Sequence, residues 1–275
     1  QLVFATPPAH AGVSSGDVLS GVVFQTQPIV QAQDASGLLD AHFTDQVTLT
    51  TTAAGALSGA TAVQAVSGAA TFSGLAYTAS ADQESFTLVA NDEIAGSGGD
   101  LPSANSNALI ADIVATQLVF AIQPTHAGVG HGDVLSGVAF QTQPVVQAQN
   151  ANGALDIHFA DQVTLTTTAA GTLSGATTVQ ATNGVATFAN LAYTASADQE
   201  NFTLVANDEI AGSGGDLPSA NANALTADIV ATQIVFATPP SDNSATNGSV
   251  VNGRVFAIQP IIEAQNASGQ RDLDI

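Results

Sequence analysis

The sequence predicts an all-β protein made of tandem antiparallel β-sandwiches, about seven strands apiece, joined end to end. Three observations predict this. Short runs of alternating apolar and polar residues recur between turn signals, and nothing has helical periodicity. The stretch ADIVATQLVF at 111–120 returns as ADIVATQIVF at 227–236, and the chain opens on the same phrase, Gln1-Leu2-Val3-Phe4. Finally, 45% of the residues are apolar, too many for a disordered tail. The repeat has a period of 116, giving copies at 1–116 and 117–232 and the N-terminal part of a truncated third repeat at 233–275. The two full copies differ at 22 positions without a gap. Periods of about 20–50 residues mark solenoids; a period of 116 is a whole small domain. No Gly/Ser or Pro linker interrupts the joint, so the last strand of one copy is expected to feed the first strand of the next, as in a stiff rod.

In chain order, residues 2–6 form a first strand, stopped by Pro7-Pro8, which cannot continue a central strand. A polar loop at 9–16 leads to strands at 22–24 and 28–33 and to the turn Asp34-Ala35-Ser36-Gly37. DQVTLTTT at 45–52 alternates as a half-buried strand does. Strands at 61–66 and 69–77 flank Ser67-Gly68, whose second-copy counterpart Asn183-Gly184 is a strong hairpin signal. SFTLVA at 85–90 is a further strand, NDEIAGSGGD at 91–100 is an acidic, glycine-rich loop, and a strand at 107–115 closes the unit. Phe4, Phe24, Val30, Leu49, Phe72, Phe86 and Leu88 are the expected core.

Charge excludes several functions. The chain has 23 acidic residues against two basic ones, Arg254 and Arg271, for a net charge of −21. Such a surface repels phosphate backbones and anionic membranes, so no nucleic-acid partner is expected. No apolar run reaches the length of a membrane span, so no membrane insertion is expected in this segment. The absence of cysteine excludes disulfides and thiolate sites, and the absence of lysine excludes Lys–Asn cross-links in the full copies. The third copy stops mid-domain, so the chain is expected to be a piece of something longer.

The phrases LVFATPP, QTQPIVQAQDASG, VTLTT, GAATFSGLAYT and SFTLVAND resemble the bacterial immunoglobulin-like (Big-type) repeats of large surface and secreted proteins. The resemblance covers both full copies and the first third of the last. It implies an immunoglobulin-like sandwich in an extracellular stalk, adhesin or fibre at the bacterial surface, often with calcium at domain joints. Two departures stand out. The acidic loops lack a DxDxDG pattern, and basic residues are almost gone.

The acidic loop offers a candidate ion site. Asp92, Glu93 and Asp100 recur as Asp208, Glu209 and Asp216, and carboxylates on flexible glycine loops suit calcium, which takes six to eight oxygens. Sandwich topology leads us to expect the second loop to meet Asp17 and the corner Asp82-Gln83-Glu84 of the first repeat. Calcium is then expected between Asp208, Glu209 and Asp216 on one side and Asp82 and Glu84 on the other; the alternative is a solvated acidic loop. His10/His126 and His42/His158 are repeat partners with third-copy counterparts Asp242 and Asp274, and His131 completes the histidines. A His-to-Asp exchange keeps metal-ligand character but changes the ion preferred, while the plainer expectation is loop residues. Tyr77 and Tyr193 are expected to stabilise the sandwich rather than stack on sugars. The sequons at Asn201, Asn247 and Asn266 are weak, because the repeat partner of Asn201 is Ser85.

No Ser–His–Asp order, GxSxG, HExxH or phosphate-cradling loop with Lys occurs, and Ser14-Ser15-Gly16-Asp17 becomes Gly130-His131-Gly132-Asp133 in the second copy. An enzyme is therefore not expected. The leading expectation is a non-catalytic structural or adhesive segment whose partners are neighbouring repeats of the same chain. One alternative is a filament subunit in which identical chains complete the partial third domain by strand addition onto Val235, Phe236, Val255, Phe256 and Ile261. Another is a glycan- or protein-binding module.

Overall fold

The computed structural model describes residues 1–10, 16–92, 100–126, 132–208, 216–242 and 252–275. Among them every regular element is a strand, so the protein is all-β. No helix there is long and apolar enough to cross a membrane. The chain divides into two compact units. Unit 1 comprises Gln1–Gln117, Ala148–Ala160 and Thr182–Gly184, and unit 2 comprises Leu118–Gln147, Asp161–Ala181 and Val185–Ile275. The compact units and the sequence period therefore have different boundaries: residues 148–160, second-copy by sequence, belong to unit 1.

Unit 1 is an immunoglobulin-like sandwich of short strands. They are β1 (Leu2–Thr6), β2 (Val18–Leu19), β3 (Ile29–Ala32), β4 (Gln46–Thr51), β5 (Ala56–Ser58), β6 (Ala62–Gln64), β7 (Ala69–Thr71), β8 (Ala76–Thr78), β9 (Glu84–Phe86), β10 (Leu88–Asp92), β11 (Ala104–Asn105) and β12 (Leu109–Asp112). Their sheet orders are β1-β3-β7, β11-β10-β4-β6, β2-β12-β9 and β5-β8. All pairs are antiparallel except β2 with β12. Alternation places Val47 and Leu49 of β4 inward and Thr48 and Thr50 on the opposite face, with Leu49 opposite Ala90. Phe24, Val30, Leu49, Phe72, Phe86 and Leu88 are buried as expected, and Phe4 is half-buried against them. Each such side chain contributes about 1.5–3 kcal/mol through the apolar surface it removes from water.

Two expected strands divide. Residues 69–77 break at Gly74 (φ 64°), so that β7 pairs with β3 and β8 with β5. SFTLVA crosses between sheets at Thr87: Phe86 pairs with Leu109, and Leu88 pairs with Thr51. A third expected strand, 22–24, does not form. Gly21 turns the chain at φ 76°, its N–H donating to the Tyr77 carbonyl at 2.8 Å, and leaves Val22 and Val23 exposed.

Unit 2 repeats this plan. One sheet orders Thr178–Gln180, Gln162–Thr167, Leu204–Asp208 and Ala220–Asn221, and another orders Val134–Leu135, Leu225–Asp228 and Glu200–Phe202. Gln233–Thr238 and Ile261–Gln265, from the third copy, pair as a two-stranded sheet. Phe236, Val255 and Ile261 are exposed there, whereas Val235 and Phe256 are half-buried.

Candidate metal centre

A tight corner aims the first carboxylate. Gln83, after Asp82, sits at φ 60°, and its N–H donates to Asp82 Oδ1 at 2.9 Å. The same Oδ1 accepts the Ile113 N–H at 2.7 Å, just beyond β12. Asp82 Oδ2 accepts the N–H of Ile157 at 3.0 Å. One carboxylate thus fixes the residues after the last strand of the first sequence copy and a segment of the second.

His158 follows Ile157. Its Nδ1 lies 3.4 Å from Asp82 Oδ2 and 3.6 Å from Asp112 Oδ1. The side chains of Asp82 and Asp112 are 1% and 5% exposed, against 45% for His158. Gln83 Nε2 donates to Asp112 Oδ1 at 3.3 Å. Asp156 braces the other side, accepting the N–H of Ala115 at 2.9 Å and of His158 at 2.8 Å. Burial pushes the Asp112 carboxyl above the ordinary aspartate range; the Asp82 charge adds to this and His158 opposes it.

Unit 2 carries the same wiring with one changed donor. Asp198 Oδ1 accepts the N–H of Gln199 at 2.9 Å and of Ile229 at 2.8 Å, and Oδ2 accepts that of Leu273 at 2.7 Å. Asp272 accepts the Ala231 N–H at 2.8 Å, as Asp156 does for Ala115. At the position of His158 stands Asp274, which accepts from Gln199 Nε2 at 2.8 Å. One donor atom each from Asp82, Asp112 and His158 lie within 4.8 Å of one another, and so do those of Asp198, Asp228 and Asp274. Either group could hold a cation. Three carboxylates offer only oxygen and fit calcium; the imidazole nitrogen of unit 1 does not.

Among the expected calcium ligands, Asp82 lies with Asp112 and His158. Both Glu84 oxygens are engaged: Oε2 accepts from the Tyr77 hydroxyl at 2.9 Å and the Ser80 N–H at 2.8 Å, and Oε1 accepts the Ser80 hydroxyl at 2.9 Å. Asp17 accepts the Ile110 N–H at 2.9 Å, and Asp92 accepts the Leu101 N–H at 3.2 Å. Asp208 does the same for Leu217 at 3.2 Å; burial raises its pKa, and Asp216 and Asp161 raise it further. Asp100 and Asp216 are exposed. Glu93, Glu209, Ser14, Ser15, His131 and the sequon at Asn247 lie outside the described residues. Sequence reasoning missed Asp112 and Asp228, which sit in ADIVA with no motif around them. The visible signal was the His42/His158/Asp274 series.

No family model matches the chain, and no curated protein matches it. Among solved structures it is similar to a glycosyl hydrolase family 2 member from Bacteroides cellulosilyticus, at 10% identity and a TM-score of 0.32, over 74% of this chain and 23% of that one. It is similar to the Parabacteroides merdae β-glucuronidase at 13% identity and a TM-score of 0.26, over 76% of this chain and 23% of that one. Mouse cadherin-23 EC22-24 aligns with 92% of this chain and 76% of its own length, at 14% identity and a TM-score of 0.33. The chain thus spans about a quarter of the two hydrolase structures. The strand pairing above, not these distant likenesses, defines the fold.

Proposed function

We propose that this chain is a non-catalytic structural spacer, a segment of an extracellular bacterial fibre or adhesin extended by adding repeats. One observation carries the reading. Asp82 ties Ile113 to Ile157, and Asp198, 116 residues on, ties Ile229 to Leu273 in the same way. A carboxylate that joins the end of one sequence copy to the next can be propagated along an array of any length. Its oxygens accept backbone amides, which is the work of a structural carboxylate.

The ion we propose for Asp198, Asp228 and Asp274 is calcium, because the donors are all oxygen and the chain carries a net charge of −21. Bound calcium would add stability as the logarithm of its concentration over its dissociation constant. Thermal unfolding of the full chain should therefore occur several degrees higher in excess calcium than in EGTA, and Asp274→Asn should remove most of that shift.

The spacer reading is tested by displaying a reporter binder on a cell surface behind increasing numbers of the 116-residue repeat. Reporter reach should grow with copy number, while the repeats alone capture no glycan or protein from a panel. Saturable capture of one ligand by the repeats themselves would replace the spacer with a binding module.

A further inference from the structure

We infer that Asp82, Asp112 and His158 form a site for a divalent transition ion of the zinc type, with a preference that the all-oxygen cluster of unit 2 does not share. The three side chains are spaced as donors to a single ion are. The imidazole Nδ1 stands 3.4 Å and 3.6 Å from the two carboxylate oxygens. Both distances exceed the roughly 2.7–3.2 Å of an N–H···O hydrogen bond. A tetrahedral ion with bonds near 2.0–2.1 Å holds its donors about 3.3–3.5 Å apart.

The donors are also oriented in advance. Asp82 accepts three backbone N–H groups and Asp112 accepts the Gln83 side-chain amide, while the backbone N–H of His158 is anchored on Asp156. Outer hydrogen bonds of this kind fix ligand direction in metal sites. Two nearly buried carboxylates meet here with one half-exposed imidazole, which leaves the solvent side open for the ion's entry and for water as a further ligand. The first repeat supplies an internal control. Asp40 and His42 copy Asp156 and His158, but the His42 side chain is fully exposed and pairs only loosely with Asp40 at 3.8 Å. The local sequence alone does not build the site; Asp82 and Asp112 complete it.

The inference is independent of the calcium reading for unit 2. Its test is calorimetric titration of the metal-depleted full chain with zinc chloride, with the imidazole resonances followed by NMR. Zinc should perturb the His158 ring first, and excess calcium should leave that perturbation in place. His158→Ala should weaken zinc binding by at least about tenfold, the loss that even outer-sphere changes cause, and His42→Ala should leave it unchanged. His158→Asp, which installs the residue natural at 274 and so keeps the fold, should lose zinc binding as well. Equal zinc affinity in the natural chain and both His158 variants, or zinc with no His158 response, would overturn the site. A calcium failure shows separately, as an absent calcium shift in the natural chain.

Discussion

Glu84 shows how single residues hold the sandwich. The Tyr77 ring lies buried on Phe86, centroids 3.7 Å apart, and its hydroxyl donates to Glu84. Burial and that carboxylate push the tyrosine up to about 12. For Glu84, burial alone would raise the pKa; the Ser80 N–H, the Tyr77 hydroxyl and the Ser80 hydroxyl outweigh it and hold the value below 4.5. The folded pKa is then lower than the unfolded one, so this carboxylate's contribution is present above about pH 4.5 and is lost as pH falls through the folded value. Glu200 behaves alike, whereas Asp112 and Asp208, raised by burial, contribute below their unfolded value and lose that contribution as pH rises. Glu84→Gln should cost about 1 kcal/mol at neutral pH, less than a buried charge-assisted bond because the site is partly exposed. It should also flatten the acid limb of a stability–pH curve, and chemical denaturation across pH checks both. The tyrosine's structural role was legible from its position before the corner. The partnership of Asp112 with His158 was not, since 46 residues without a shared motif separate them.

Turn chemistry decides the elements. Ser67 and Gly68 take φ 50° and 85°, as Asn183 and Gly184 take φ 50° and 78°. Two positive φ values in a row are the I′ geometry that Asn-Gly prefers. A Cβ on Gly68 would meet the Asp40 carbonyl oxygen, so glycine is required there. Serine at 67 carries part of the roughly 1 kcal/mol cost of a left-handed non-glycine residue, which asparagine reduces. Ser67→Asn should therefore stabilise the first sequence copy by a few tenths of a kcal/mol, and Asn183→Ser should weaken the second copy by a similar amount; paired melts of the two variants read this directly. Alternation made the hairpins and β4 legible in advance. The division of SFTLVA was not, because Thr87 keeps the alternation unbroken while the N–H groups change partners, Thr87 donating to Thr52 Oγ1 at 3.1 Å and Leu88 to Ser106 Oγ at 3.0 Å.

Across the whole molecule, one piece of wiring recurs with the sequence period. The repeat itself was legible from ADIVATQLVF, and the carboxylates of the glycine-rich loop were legible as candidate ion ligands. The structure places carboxylates where backbone amides need acceptors, at Asp82 and Asp198, a demand that composition does not reveal. Losing the first of these acceptors should be costly, about 2–3 kcal/mol, because the amides it serves are left without partners. The measurement that tests this most directly is amide hydrogen exchange on the full chain with Asp82→Ala. Exchange at Ile113 and Ile157 should accelerate together, while Ile229 and Leu273, served by Asp198, keep their protection. Unchanged protection at Ile113 and Ile157 would contradict the account, since the two segments would then be held without the carboxylate said to join them.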